Sequence, residues 1–385
     1  MGNDLRSLVL YIHWPFCKSK CPYCDFNSHV RTSIDESAWK QAFTQELQRT
    51  YQITGSRRLE SIFFGGGTPS LMSPALVGSI IDMATTLWHP ENDIEITLEA
   101  NPTSIEIEKF KALSQAGVNR VSIGVQSFNT EDLRFLGRQH SADEAKKAIH
   151  IGQHYFDRVS FDLIYARPHQ TTQAWQKELE TALSFGTDHL SLYQLTIEQG
   201  TAFEHQYARQ EFILPEENLA TDLYQQTIDT LGTNGLKIYE ISNFARPRQE
   251  SKHNLAYWTY QDYAGVGPGA HGRLTLENGI KVATRQFKAP ETWLKQVEAG
   301  QGTTESVSLS LNDQAAEQLM MGLRLFRPFD LAQLPVAWNQ AIDAEKLDIL
   351  IQQGLIHQQG SRIDLTLPAR LCLNEVLRYI AAPKS

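Results

Sequence analysis

Short apolar stretches alternate with amphipathic stretches over the first half of the chain. Six of the apolar stretches have the length of buried strands, and each of the first five leads through a loop into a segment with helical periodicity. The predicted strands are residues 7–13, 59–64, 93–100, 118–125, 159–165 and 189–195. Strands that alternate with helices predict an α/β fold with a parallel sheet, and six units rather than eight predict a partial (β/α)6 barrel.

The loop before the first predicted helix carries a helix start signal. Ser33 and Glu36 have the spacing of a capping box, in which each side chain accepts a hydrogen bond from the backbone of the other residue. This spacing and the apolar positions that follow it predict a helix over residues 35–51.

The periodicity weakens after residue 196. Residues 202–218 are polar and lack a clear period, and helical and short strand patterns resume further on. We therefore divide the chain into a barrel over residues 1–235, a connecting region over 236–305 and a smaller C-terminal α+β domain over 306–385. The last of these has helices and two short strands in an order similar to that of a winged helix.

Three cysteines follow the first predicted strand. Cys17, Cys21 and Cys24 are spaced Cys-x3-Cys-x2-Cys, and the remaining cysteine, Cys372, lies far away in an apolar helical pattern typical of a core residue. A zinc site needs a fourth protein ligand, which this spacing does not supply. Three thiolates fit an iron–sulfur cluster better, because the fourth iron is then free to bind a ligand that is not protein. Three buried structural cysteines are the alternative.

These features resemble the radical S-adenosylmethionine (SAM) superfamily, in which a loop of this spacing holds a [4Fe-4S] cluster that binds SAM. Residues 11–17, Tyr-Ile-His-Trp-Pro-Phe-Cys, and 64–69, Phe-Gly-Gly-Gly-Thr-Pro, are similar to the coproporphyrinogen III oxidase-like group. The resemblance implies that the three cysteines bind the cluster. It also implies SAM contacts from Tyr11, Gly66, Gly67, Thr68, Glu99, Gln126, Arg138 and Asp162. Ordinary strand-end polar residues are the alternative interpretation of this set.

Within that group the chain resembles the HemW-type branch of haem chaperones. The oxygen-independent oxidases carry a further cysteine two residues after the triad and a longer N-terminal arm, whereas this chain has Phe26 there and sixteen residues before Cys17. The motif His253-Asn-x-x-Tyr257-Trp258 also fits the branch. The resemblance implies a protein that binds haem, a [4Fe-4S] cluster and SAM and that transfers haem to an acceptor protein. An electron donor is a further expected partner.

His253 is the candidate haem contact, because a neutral imidazole is a good iron ligand. A histidine and tryptophan pair that packs the open side of the barrel with hydrogen-bonded edges is the alternative. Residues 265–270 satisfy the pattern G-x-G-x-x-A, but no strand of a dinucleotide-binding unit precedes them. We therefore expect a loop near the tetrapyrrole at this position.

Composition narrows the range of partners. The net charge of −9 does not favour nucleic acid, since phosphate binding needs a dense basic face. No apolar run approaches the ~20 residues of a membrane span, and the clustered thiols and polar N-terminus predict a cytoplasmic protein. Three functions stay open: a haem chaperone, an oxygen-independent coproporphyrinogen III oxidase, and a radical SAM enzyme with another substrate.

Overall fold

The computed structural model describes residues 5–381, except for the side chain of residue 105. The first half of the chain alternates strands with helices, and a short 3-10 helix follows the second long strand. The elements are β1 (Ser7–Trp14), β2 (Phe16–Cys17), β3 (His29–Val30), α1 (Glu36–Thr54), β4 (Arg58–Gly66), α2 (Pro74–Leu87), β5 (His89–Ala100), α3 (Ser104–Ile107), α4 (Phe110–Gln115), β6 (Arg120–Gln126), α5 (Thr130–Phe135), α6 (Ala142–Tyr155), β7 (Arg158–Tyr165), α7 (Thr172–Ser184) and β8 (His189–Gln194).

The second half of the chain has shorter elements in two groups. The first group is α8 (Ala202–Ala208), α9 (Glu217–Thr233), β9 (Lys237–Glu240), β10 (Asn243–Ala245), α10 (Lys252–Trp258), β11 (Tyr263–Val266), β12 (His271–Thr275), β13 (Lys281–Gln286), α11 (Pro290–Glu298) and β14 (Thr303–Ser308). The second group is α12 (Leu311–Gly322), β15 (Phe329–Asp330), α13 (Trp338–Ala341), α14 (Ala344–Gln352), β16 (Ile356–Gln359), β17 (Arg362–Leu365), α15 (Leu367–Leu371) and α16 (Leu373–Ile380). Across the part of the chain that the structure describes, no helix combines the length and the apolar character needed to cross a membrane.

One twelve-stranded sheet dominates the described residues, in the order β14-β13-β12-β11-β1-β4-β5-β6-β7-β8-β10-β9. The six predicted strands form its centre as β1, β4, β5, β6, β7 and β8, and every adjacent pair among them is parallel. Because β14 and β9 form separate edges, the barrel is open. The structure thus confirms the predicted α/β class and the partial barrel.

Strands from the predicted connecting region extend this sheet at both ends. β11 pairs with β1 in parallel, and the sheet continues through the antiparallel strands β12, β13 and β14. At the other end β10 pairs antiparallel with β8 and with β9. The second group of elements packs around an apolar core separate from that of the barrel. The proposed domain limits after residues 235 and 305 stay a prediction.

The central strands have one apolar and one polar face. On β5, Ile96 and Leu98 belong to the core that the helices cover, whereas Glu95, Thr97 and Glu99 alternate with them. Because successive side chains of a strand point to opposite faces, the second set lies on the inner side of the barrel. Buried serines occupy the same face of neighbouring strands: Ser61, Ser122, Ser160 and Ser191. The barrel interior is therefore rich in hydrogen-bonding groups.

The predicted capping box at the start of α1 is wrong. Asp35, not Ser33, is the cap, because its carboxylate accepts hydrogen bonds from the NH groups of residues 37–38 at 3.0 and 3.2 Å. The carboxylate of Glu36 instead accepts a hydrogen bond from the NH group of Ser73 at 2.9 Å. The predicted start of the helix is nevertheless correct, because Asp35 caps α1 and the helix begins at Glu36.

Cys372 is exposed and lies between α15 and α16. Its Sγ donates to the carbonyl oxygen of Pro368 at 3.3 Å. The prediction of a small core residue is therefore wrong. A continuous helix would have placed this side chain among apolar neighbours, but the helical run is interrupted at Cys372, which has non-helical backbone angles.

Candidate functional site at the strand ends

A cavity of about 320 Å³ opens where the central strands of the barrel end. The cysteine loop after β1, the glycine loop after β4 and the ends of β5, β6 and β7 all contribute to it. Ten of the twelve candidate residues line this cavity: Cys17, Cys21, Cys24, Gly66, Gly67, Thr68, Glu99, Gln126, Arg138 and Asp162. Tyr11 and His253 are not in its lining. The carboxyl ends of parallel barrel strands are where active sites form, which is consistent with this convergence.

The cysteine loop forms one wall of the cavity. Cys17 ends β2, which pairs with β3, so the two ends of the loop are held together. The NH group of Cys24 donates to the carbonyl oxygen of Cys21 at 3.1 Å and closes a turn between them. Burial raises the pKa of the Cys17 and Cys24 thiols and so favours their protonated form, whereas a bound cation such as iron would favour the thiolate.

The three thiols are not arranged around a single metal ion. Within residues 5–381, no group of three or more His, Cys, Asp or Glu side chains converges closely enough to hold one ion. An iron–sulfur cluster binds each cysteine through a different iron atom, so its ligands need not converge on one point. The spacing of the triad therefore suits a cluster.

Glycines allow neighbouring loops to pack closely on the cysteine loop. A Cβ atom on Gly67 would lie 2.5 Å from the carbonyl oxygen of Phe16, directly before the first cysteine. A Cβ atom on Gly137 would lie 2.5 Å from Cδ of Pro22, and the φ of Gly137 is +68°. A side chain at either position would displace the loop. The glycine motif after β4 thus has a packing role in addition to the ligand contact that the resemblance implies.

Arg138 connects the cysteine loop to the strand ends. Its Nη2 donates to the side-chain oxygen of Asn101 at 2.5 Å and to the carbonyl oxygen of Gly124 at 2.8 Å. Its Nη1 lies 3.4 Å from Sγ of Cys21 and 3.5 Å from the hydroxyl of Tyr23. The guanidinium group therefore ties the cysteine loop to the ends of β5 and β6. Asn101 is a site residue that sequence reasoning missed, although its position directly after β5 was a signal.

Two carboxyl groups interact at the cavity, Glu99 on β5 and Asp162 on β7, the strands on either side of β6. Burial and the proximity of Asp162 raise the pKa of Glu99 to about 8, although the NH group of Gly66 donates to Glu99 at 3.2 Å. Burial also raises the pKa of Asp162 to about 6, against hydrogen bonds from Ser122 and Ser191 that lower it. Glu99 is therefore mainly protonated at neutral pH, and a bound cation would favour its ionised form.

Two buried polar atoms at the cavity have no hydrogen-bond partner in the described part of the chain: Oε1 of Gln126 and Nε of Arg138. Gln126 also has a φ of +70°, and such backbone strain in a residue with a side chain clusters at functional sites. A hydroxyl or ammonium donor would satisfy Oε1, and a carboxylate would satisfy Nε. SAM carries all three groups. The residues present therefore fit SAM and the cluster.

Tyr11 belongs to a hydrogen-bonded chain outside the cavity lining. Its hydroxyl lies 3.0 Å from Nδ1 of His13, and Nε2 of His13 lies 2.9 Å from the carbonyl oxygen of Asn27. Because a carbonyl only accepts, Nε2 of His13 carries the proton and Tyr11 donates to Nδ1. The Asn27 amide donates to the carbonyl oxygens of Pro268 and Lys288, both at 2.9 Å. Asn27, a second residue that sequence reasoning missed, thus anchors the far end of the cysteine loop.

His253 is enclosed on α10, with 1% of its surface exposed. Its Nδ1 lies 2.9 Å from the hydroxyl of Ser61, its Nε2 lies 2.8 Å from the hydroxyl of Tyr257, and its ring stacks on Phe63. Burial lowers the pKa of His253 to about 3, so the imidazole is neutral. Because both ring nitrogens are engaged, this arrangement favours the packing alternative over a bond to haem iron.

Comparison with known proteins gives matches along the whole chain. Residues 11–182 match the Radical SAM superfamily, and residues 309–372 match the HemN C-terminal domain. The radical S-adenosyl methionine domain-containing protein 1, mitochondrial, of Bos taurus is 42% identical over 82% of this chain and 73% of its own length. The heme chaperone HemW of Haemophilus influenzae is 36% identical over 97% of either chain. The Escherichia coli heme chaperone HemW is 33% identical over 98% of this chain and 99% of its own.

Among solved structures, coproporphyrinogen III oxidase (HemN) from Escherichia coli, described as a radical SAM enzyme, has a TM-score of 0.81. It is 23% identical, and the match covers 97% of this chain and 90% of that one. At this identity the likeness shows the fold alone. The relatives that exceed 30% identity over nearly the full length decide the family: the chain belongs to the radical SAM superfamily and, within it, to the HemW family.

Proposed function

We propose that this protein is a haem chaperone of the radical SAM type, which binds haem and transfers it to an acceptor protein. Similarity along almost the whole chain to proteins named heme chaperone HemW, at 33–36% identity, carries this proposal. Phe26 supports it. This residue lines the cavity with 60% of its surface exposed, where the oxidases that the sequence resembles have a further cysteine. An aromatic ring at this position offers no thiol chemistry.

Membership of the radical SAM superfamily implies a [4Fe-4S] cluster and SAM. Cys17, Cys21 and Cys24 would hold the cluster, which supplies the electron for cleavage of SAM when both are bound. Arg138 would orient the SAM carboxylate through a charge-assisted hydrogen bond, and Glu99 would accept a hydrogen bond from its ammonium group. An electron donor is a further proposed partner.

SAM binding is expected to release roughly one proton per site at pH 7. Glu99 is mainly protonated in the free protein, because burial and Asp162 raise its pKa to about 8. The positive charge of SAM would lower that pKa on binding. Calorimetric titrations in buffers of different ionisation enthalpy measure the release. Glu99→Gln should abolish it, while Glu198→Gln, a more peripheral change in the same cavity lining, should retain it. A binding enthalpy that is the same in all buffers would contradict the contact.

The purified protein is expected to bind haem stoichiometrically and to leave coproporphyrinogen III unchanged under anaerobic conditions with SAM and a reductant. Absorbance titration measures the first property, and chromatography of the porphyrinogens measures the second. Haem binding should persist in Cys21→Ala, because the haem site is not expected to need the cluster. Sustained decarboxylation by the wild-type protein, lost in Cys21→Ala, would establish the oxidase function instead.

The proposed location is the cytoplasm. Its support is the cysteine triad, because cluster ligands need an environment that keeps thiols reduced. The animal relatives are named mitochondrial, so an organelle matrix is the competing location. Fractionation of cells that express a tagged form of the chain distinguishes the two.

A further inference from the structure

A second cavity lies between the end of α10 and the C-terminal group of elements. Its volume is about 390 Å³, within the range of ligand sites, and it shares no lining residue with the cysteine-lined cavity. Its lining includes Trp258 from α10 and four residues of the C-terminal group: Gln318, Arg327, Phe329 and Arg362. We call this cavity the Trp258 groove.

Trp258 presents a partly exposed indole that has no aromatic partner within the described residues. It is half-buried, and within residues 5–381 its ring has no aromatic neighbour and its Nε1 makes no hydrogen bond. Most other tryptophans of the chain pack against another aromatic ring: Trp14, Trp39, Trp88, Trp175 and Trp293. A partly exposed indole without a stacking partner in a concave site is suited to contact a flat ligand.

Two arginines bring exposed positive charge to the same groove. The exposed Arg327 has no hydrogen bond or ion pair from its side chain within the described residues. Nε of Arg362 lies 3.9 Å from a carboxylate oxygen of Asp330, and 69% of its side chain is exposed. The nearby Arg370, by contrast, is committed to the protein, because it donates to the carboxylate of Asp364 at 2.8 Å. The groove therefore has guanidinium donors available for an anion in a chain whose net charge is −9.

We propose that the Trp258 groove binds haem, with Arg327 and Arg362 holding its two propionates and Trp258 packing on one face of the macrocycle. This inference rests on the proposed haem chaperone function and adds the place and the chemistry of recognition. A guanidinium group forms paired hydrogen bonds with a carboxylate, and aromatic systems pack well in offset stacks. A flat, apolar body with two adjacent carboxylates satisfies the indole and both arginines.

The composition of the groove also fits a protein that hands haem on. Its lining includes no His, Met, Cys or Tyr, which are the residue types that ligate haem iron. Haem is therefore held here by its edge and one face, and its release needs no iron–protein bond to break. Arg327 and Arg362 are both exposed, so an acceptor protein can reach a ligand that they hold.

Titration with haemin and with haemin dimethyl ester, in the same detergent, tests the site. In the ester both propionates are blocked, so the macrocycle is retained and the charges are lost. Arg327→Gln and Arg362→Gln should each weaken haemin binding by about ten- to a hundredfold, the loss of one charge-assisted contact, and the double variant should lose more. The ester should bind the wild-type and double-variant proteins equally weakly. Trp258→Leu should weaken the binding of both ligands.

Arg378→Gln is the matched control, because Arg378 is 75% exposed on α16 and lies outside the groove. Wild-type haemin affinity in the double variant, or an equal loss in Arg378→Gln, would overturn the site while leaving haem binding by the wild-type protein, and so the chaperone function, in place. Failure of the wild-type protein to bind haemin would overturn both. The thermal unfolding temperature of each variant checks that an affinity loss does not reflect unfolding.

Discussion

Replacing any one of Cys17, Cys21 and Cys24 with Ala is expected to abolish the brown chromophore of the anaerobically reconstituted protein. In the proposed site each cysteine would bind a different iron of the cluster, so the other two could not replace the missing ligand. No further cysteine lies near the cavity, since the remaining one, Cys372, is exposed between α15 and α16. Visible absorption and the electron paramagnetic resonance signal of the reduced protein measure the loss.

Cys372→Ala is the control for this experiment. The sulfur of Cys372 contacts only carbonyl oxygens of its own helical segment in the described structure, at Pro368 and Ala369. Both spectroscopic signals should therefore stay at the wild-type level. If Cys372→Ala lost them as the triad variants do, the assignment of the cluster ligands would be incorrect.

Glu95→Ala is expected to destabilise the fold by about 3–5 kcal/mol, the range for a broken buried ion pair. The Glu95 side chain is 1% exposed, and its carboxylate accepts a hydrogen bond from Arg158 at 2.6 Å and lies 4.0 Å from Arg120. The backbone NH groups of Lys252 and His253 also donate to it, both at 3.2 Å. Glu95 thus ties β6 and β7 to the start of α10, and its loss leaves buried arginine charge without a partner. Chemical denaturation measures the free energy of unfolding.

Asp93→Ala is a matched control on the same strand. Asp93 pairs with Lys252 of the same helix at 2.5 Å, but its side chain is 77% exposed, so water replaces the lost contact. We expect a much smaller change in the free energy of unfolding than for Glu95→Ala. Equal effects of the two substitutions would contradict the role assigned to burial.

The stabilisation by Glu95 should also depend on pH. Burial alone would raise its pKa, but Arg120, Arg158 and the helix NH groups together lower it below the usual value. A lowered folded-state pKa means that the ionised form stabilises the fold above the unfolded-state pKa. This contribution is lost as the pH falls through the folded-state pKa. The difference in unfolding free energy between the wild-type protein and Glu95→Gln should therefore shrink in acid.

The six central strands of the sheet could be predicted from sequence because each coincides with a short, largely apolar stretch. Most of these stretches lead into an amphipathic helix. The outer strands could not be predicted. In β14, the six residues include one apolar side chain, Val307, and it is exposed. Residues 265–270 were expected to form a loop, yet they begin with the end of β11, whose partner β1 lies about 250 residues earlier in the chain. Pairing over such distances leaves no local pattern.

The strand-end residues could be predicted because parallel strands bring their carboxyl ends to one edge. Tyr11 and His253 were predicted from motifs, but neither lines the cavity. A motif identifies residues that are close in sequence and does not show how far into the barrel a side chain lies. Tyr11 and His253 both face other side chains of the interior, at His13 and Ser61 respectively. Asn27 was missed for a related reason, since its amide partners lie 241 and 261 residues away.

Backbone contacts and close glycine packing support the cysteine loop. The NH groups of Gly67 and Thr68 donate to the carbonyl oxygens of Trp14 and Phe16 at 2.7 and 2.8 Å, and Gly137 fits closely against the loop from another side. None of these contacts uses a thiol. We therefore expect the cysteine loop to keep its shape when oxygen destroys a bound cluster. Added iron and sulfide should then restore the cluster in the existing protein, without new synthesis.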